Sequence, residues 1–163
     1  MSLIQIPSMD ITMQLRRTYN THTDFKALTH LLDAELALRY GVAQKQYDEH
    51  NVIEPIDTAL VGYDAHNNPI ACGCFKVIAT DTVEIKRMFV APLFRRQGFS
   101  RMLLMALEVW ACELGYTKAV LETAKGQPEA IALYTQCGYR IIANYGVYVG
   151  MDNSVCMQKV LKG

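Results

Sequence analysis

The residues most able to do chemistry are concentrated in Met88-Phe89-Val90-Ala91-Pro92-Leu93-Phe94-Arg95-Arg96-Gln97-Gly98-Phe99-Ser100, which reads as a strand, a loop and the start of a helix. Gly98 and the small Ser100 let a ligand approach the main chain. The first N–H groups of the helix lack internal partners and lie at the positive end of its dipole, so they favour a phosphate. By itself the pattern is also that of an ordinary basic turn ahead of a helix. Two carboxylates stand near it in the chain. Glu84 lies on the strand leading to the loop, eleven residues before Arg95, and Glu122 ends the next strand. Either can serve as a proton acceptor, and either can equally be a strand carboxylate neutralising Lys86 or Arg87.

The elements that must position these groups follow from periodicity. Ile11 to Arg17 alternates as a first strand, Tyr19-Asn20-Thr21 is a turn, and Thr23 is placed to cap a helix. From Asp24 to Tyr40 the residues Phe25, Leu28, Leu31, Leu32, Leu36 and Leu38 follow helical spacing as a buried stripe, with Gly41 just past the end. Gln44 to Glu54 has no clean period and reads as either a short helix or a loop. Thr58 to Asp64 and Pro69 to Ala79 flank Ala65-His66-Asn67-Asn68 as a hairpin, and Val83 to Val90 is a further strand. Phe99, Met102, Leu103, Ala106, Leu107, Trp110 and Ala111 mark a helix ended by Gly115. Ala119 to Leu121 is a buried strand, Pro128 to Gln136 a helix closed by Cys137-Gly138, and Tyr139 to Ala143 and Val155 to Val160 are the last strands. The expected fold is α+β, a mixed twisted sheet of about six to seven strands flanked by about four helices. The two crossover helices of the second half should enforce parallel pairing there.

Composition narrows the classes. At 163 residues the chain suits one domain, residues 1 to 163, and 51% hydrophobic with 20% charged residues is a globular balance. Sixteen basic against sixteen acidic residues leave no global field for nucleic acid or anionic lipid, so any anion site is local. No apolar run approaches the roughly 20 residues of a membrane span, and a cytoplasmic protein is expected. The five cysteines are odd in number and sit in apolar segments, as reduced buried thiols do. Cys72-Gly73-Cys74 has no second Cys/His pair nearby, so no metal is expected.

The loop resembles the signature of the GNAT superfamily of N-acetyltransferases, Gln/Arg-x-x-Gly-x-Gly/Ala, here Arg95-x-x-Gly98-x-Ser100 with serine at the last place. A second block, Gln127 to Tyr139, resembles the family's later motif Asn-x-x-Ala-x-x-x-Tyr-x-x-x-Gly-Phe/Tyr. Ala130, Tyr134, Gly138 and Tyr139 match it, and Gln127 replaces Asn. Together the blocks cover residues 83 to 139, about a third of the chain.

The resemblance implies a fold with a splay between the fourth and fifth strands, and acetyl-coenzyme A as co-substrate, with its pyrophosphate on the amides of Arg95, Arg96, Gln97, Gly98, Phe99 and Ser100. It makes the main chain of Met88 and Val90 partners of the acetyl carbonyl and pantetheine, Gln127 a pantetheine contact, and Tyr134 the acid that protonates the leaving thiolate. It also implies direct transfer to a primary amine of a small molecule or peptide, and is compatible with a homodimer. A primary amine of pKa ~10.4 must lose a proton before it can attack, at a cost of roughly 4 to 5 kcal/mol at pH 7. Glu84, directly or through water, is the candidate base for that step, with Glu122 the second candidate and water itself the third. A non-catalytic acyl-coenzyme A-binding module is the alternative. Tyr145 and Tyr148, around the turn Asn144-Tyr145-Gly146, are candidates for shaping the acceptor pocket.

Overall fold

The computed structural model describes residues 12–41 and 54–162. In chain order these form β1 (Gln14–Thr18), α1 (Thr23–Tyr40), β2 (Ala59–Tyr63), β3 (Pro69–Val77), β4 (Thr82–Val90), α2 (Phe99–Glu113), β5 (Lys118–Ala124), α3 (Pro128–Gln136), β6 (Arg140–Ile142) and β7 (Ser154–Val160). Short 3-10 turns occupy Pro92–Phe94 and Gly146–Tyr148. The strands make one seven-stranded sheet in the order β1-β2-β3-β4-β5-β7-β6, the expected α+β class. Three α-helices are present among the described residues. The undecided segment 44 to 54 lies almost wholly outside them.

β1 to β4 form an antiparallel meander, β4 and β5 pair in parallel, and β7 runs antiparallel to both β5 and β6. The helix α2 therefore crosses between two paired parallel strands as expected, whereas α3 connects β5 to β6, which run in the same direction but are separated by β7. β7 matches β5 residue for residue from Lys118↔Val160 to Ala124↔Ser154, and so occupies the edge that three-residue β6 would otherwise take.

Each face of the sheet has its own core. On one, α1 sets Phe25 and Leu28 against Val61, Cys72, Cys74 and Phe89. On the other, α2 and α3 pack Leu103, Leu107 and Tyr134 against Val83, Ile85, Leu121 and Met157. Two leucines expected in the α1 stripe are exposed, Leu31 at 52% and Leu38 at 91%. At 3.6 residues per turn they lie about 120° and 140° round the helix from Phe25, beyond what one sheet contact covers. Met102 is likewise turned outward with Met105 and Val109. The helix start also differs from expectation: His22 is the cap, its Nδ1 accepting from the Asp24 N–H at 3.2 Å, and Thr23 is the first helical residue. The hairpin turn forms as expected, with Asn67 at φ +63° and the Asp64 carboxylate accepting from the N–H groups of His66 and Asn68.

A β-bulge separates the two halves of β4. Cys72 faces Phe89 and Cys74 faces Lys86, so Arg87 and Met88 oppose Gly73 alone, and Arg87 takes φ +60°. Because side chains alternate strictly along a strand, the extra residue reverses every face after it. Arg87 thus reaches α1, donating to the Thr29 carbonyl at 3.1 Å and to Asp33 at 2.8 Å. Phe89 joins the α1 core and Val90 the α2 core. Met88 lies over Gly73, where a Cβ would stand 2.7 Å from its Sδ and 3.1 Å from Leu107 Cδ1. Among the described residues no helix is long and apolar enough to cross a membrane, and no group of three or more potential metal ligands occurs.

Gly73→Val is expected to destabilise the fold by about 1 to 3 kcal/mol through overpacking against Met88 and Leu107, measured by urea unfolding. Unchanged stability would show that Met88 moves aside freely.

Candidate active site

β4 and β5 pair only at Thr82↔Lys118, Val83↔Ala119 and Glu84↔Val120. Beyond Glu84 one strand turns at the bulge and continues to Val90 while the other continues to Ala124, and the gap between them opens into a cleft of about 1260 Å³. Leu32, Leu36 and Tyr40 of α1 line it from one face of the sheet, Phe99 of α2 and Leu133 and Tyr134 of α3 from the other. Ala91 N–H donates to the Ile70 carbonyl at 2.8 Å, and by strand alternation Val90 turns its own N–H and carbonyl toward the gap. The Val90 carbonyl is taken by Arg95 Nε at 2.8 Å, which leaves the N–H as the Val90 group available to a ligand. Met88 also lines the cleft.

At the mouth lies the glycine loop. Arg96 (φ +64°) and Gly98 (φ +80°) coil the chain so that the first backbone bond into α2 is Met102 N–H to the Gly98 carbonyl, 3.1 Å. Among the described residues, no N–H from Arg96 to Arg101 donates to a backbone carbonyl. A Cβ at Gly98 would meet nothing within 4 Å, so the cradle is open where a bulky anion would rest. The two loop arginines have different roles. The Arg95 guanidinium is committed to the structure, bidentate to Glu35 at 3.1 and 2.6 Å and lying over the Phe89 ring at 5.5 Å. Arg96 and Arg101 line the cleft and make no ion pair among the described residues, which suits them to a phosphate. Phe99 is core and contributes its N–H, Ser100 lines the cleft, and Gln97 is exposed and does not line it. The cradle thus fits a phosphate group of a bound ligand.

Glu84 and Glu122 come together on one face, because Glu84 pairs with Val120 and Glu122 is two residues farther along β5. Glu84 is buried, accepting from Tyr145 O–H at 2.5 Å and lying 3.5 Å from Lys86 Nζ. Of the two cationic partners anticipated for it, Lys86 is the one found, since Arg87 is bound to Asp33. Burial first and the Glu84 charge second push the Glu122 carboxyl up to about 8, with Lys86 and a hydrogen bond from Ser154 opposing the rise.

Tyr134 lies on the opposite face, buried, and burial raises its hydroxyl well above the ordinary phenol range. Among the described residues that hydroxyl makes no hydrogen bond. Its ring is held edge-on by Tyr139, 5.8 Å between centroids. Tyr139 in turn donates to buried Glu108 at 2.8 Å, as does Lys159, tying α2, α3 and β7 into one support. Gln127 lines the cleft with its Oε1 accepting from Thr123 at 2.9 Å, so its amide N–H groups remain to meet a ligand.

The end of α1 falls at Tyr40 as expected, but Arg39 and Tyr40 line the cleft, which its sequence did not signal. Arg39 pairs with Glu129 at 2.6 Å, bridging α1 and α3, and the Tyr40 ring packs on Gly126. No local motif signals these contacts, because their partners stand 90 residues apart in the first case.

Glu122 also makes a thermodynamic statement. Its folded value near 8 exceeds the ordinary 4.5, so its contribution to stability is full below about 4.5 and is lost as pH rises through about 8. Glu122→Gln should melt several degrees above the parent at pH 8, with the gap shrinking to nothing as pH falls toward 4.5. A gap independent of pH in thermal melts would contradict the raised value.

Residues 25–139 match the acetyltransferase (GNAT) family. Over 77 residues the chain is 36% identical to the probable N-acetyltransferase 14 of Xenopus tropicalis, covering 45% of this chain but 37% of that relative's length. A Klebsiella pneumoniae protein assigned by inference to the acyl-CoA N-acyltransferases is 27% identical, with a TM-score of 0.75 over 94% of this chain and 99% of its own. PaiA N-acetyltransferase from Thermoplasma acidophilum, solved with coenzyme A, shares the fold at 15% identity, a TM-score of 0.66 and coverage of 91% and 99%. With a match running from α1 through α3, this chain belongs to the GNAT family of acetyltransferases.

Proposed function

We propose that the protein transfers an acetyl group from acetyl-coenzyme A to a primary amine of a small molecule or peptide, directly and within a ternary complex. The observation that carries this reading is the row of unengaged amides from Arg96 to Arg101 at the mouth of a cleft where Tyr134 and two carboxylates meet. Acetyl-coenzyme A supplies an activated acyl thioester when bound. The loop amides with Arg96 and Arg101 hold its phosphates, and the Val90 N–H and Gln127 hold its arm.

Acid and base approach from opposite faces of the sheet. A carboxylate of the Glu84 and Glu122 pair takes a proton from the acceptor ammonium, freeing the nitrogen lone pair to form the C–N bond. Tyr134 donates its phenolic proton to the sulfur as the C–S bond breaks, and regains one from the nitrogen of the new amide. Tyr134 is protonated across the physiological range and so has a proton to give. Tyr134 and the carboxylates also favour turnover over mere acyl-coenzyme A binding.

Incubation with acetyl-coenzyme A and a panel of amines, read by thiol release, tests the proposal. Turnover on at least one amine is expected, whereas tight cofactor binding with none would indicate a binding module. On a productive amine, Tyr134→Phe should lower kcat by about 10- to 100-fold and leave coenzyme A affinity unchanged by calorimetry. Undiminished kcat would remove Tyr134 from the reaction.

A further inference from the structure

We infer that Glu84 is a positioning residue rather than the base: clamped by Tyr145 and Lys86, it presents a fixed charge to Glu122, and Glu122 takes the proton from the acceptor, an assignment that rests on the acetyl-transfer reading above.

Both oxygens of Glu84 are engaged. Tyr145, from the connection between β6 and β7, donates to Oε2 at 2.5 Å, and Lys86 Nζ stands 3.5 Å from Oε1. Protonating Glu84 would forfeit the negative charge that its hydrogen bond from Tyr145 and its attraction to Lys86 depend on. The clamp is itself braced, because the Tyr145 ring meets Tyr148 edge-on at 5.7 Å and 85°, and Tyr148 lines the cleft. Glu122 also lines the cleft and makes no ion pair among the described residues.

The groups facing Glu122 are Glu84 and Lys86 from β4 and Ser154 and Cys156 from β7, while Tyr134 of α3 lines the same cleft from the other face. Of these, Glu84 acts most strongly to favour protonation of Glu122, after burial. A base near the working pH is ionised part of the time and still binds a proton firmly, and each unit by which it approaches the amine gains tenfold in the transfer equilibrium. In the step itself an ammonium N–H bond breaks, its electron pair stays on nitrogen, and an O–H bond forms on Glu122. The proton then passes to water and the carboxylate is restored.

Glu84→Gln keeps an oxygen for Tyr145 and so preserves the packing. In the free protein, with neither coenzyme A nor amine present, carbon-13 carboxyl NMR should show the Glu122 midpoint falling by about one unit or more in this variant. On a productive amine, the acid limb of kcat/KM should fall by the same amount and persist. Glu122→Gln should erase that limb and lower the rate by about 100-fold or more. The inference is overturned if the Glu122 midpoint is unmoved in Glu84→Gln, or if Glu84→Gln erases the limb while Glu122→Gln retains it. If no amine is acetylated, the acetyl-transfer reading falls and the base role with it, while the NMR shift still decides the coupling between the carboxylates.

Discussion

Parallel hydrogen bonding between β4 and β5 lasts for three register positions and stops at Glu84 and Val120. A sheet that continued to pair would leave no gap for a ligand and would carry Glu122 up against its neighbour strand. The bulge at Arg87 enforces the stop: it turns β4 away from the line of β5 and exchanges the faces of the residues that follow. Tight packing of Met88 on Gly73 holds the bulge from below, and Arg87 anchors it to α1 from above. The opening in the sheet is therefore held by packing on one face and by Arg87 on the other.

Charge is distributed with the same economy. The chain carries no net charge, yet the loop leaves Arg96 and Arg101 uncommitted beside a row of free amides. Arg95, adjacent in sequence, is spent on structure: its guanidinium joins the loop to the Val90 carbonyl and to Glu35 on α1. A bidentate, stacked arginine holds a loop in a way lysine does not reproduce. The distinction between a structural and an available arginine is one of position and partner, since residue type is identical.

Local signals were legible. The glycine loop, the hairpin at Asn67 and the helix from Pro128 depend on neighbouring residues and appear where periodicity and turn chemistry put them. The strands carrying Glu84 and Glu122 and the helix carrying Tyr134 could be located from pattern and resemblance, but that the two carboxylates stand side by side emerges only from the register of β4 on β5. Long-range competition was not legible. The insertion of β7 between β5 and β6 turns on which strand better matches the length of β5. The exposure of Leu31 and Leu38 turns on how wide a stripe the sheet covers. The clamp of Tyr145 on Glu84 spans 61 residues. His22 takes the cap in place of Thr23 because the helix begins one residue earlier than expected, which sets the His22 Nδ1 within reach of the Asp24 N–H.

The glycine-loop cradle and the rest of the cleft are built differently. Residues 95 to 101 form the cradle as one contiguous stretch, whereas the other wall is assembled from the end of α1, the bend of β4 and the connection ahead of β7. Segments so separated along the chain can be rewritten in evolution one at a time. A lineage that keeps the short stretch intact is free to remodel the scattered wall without disturbing the loop.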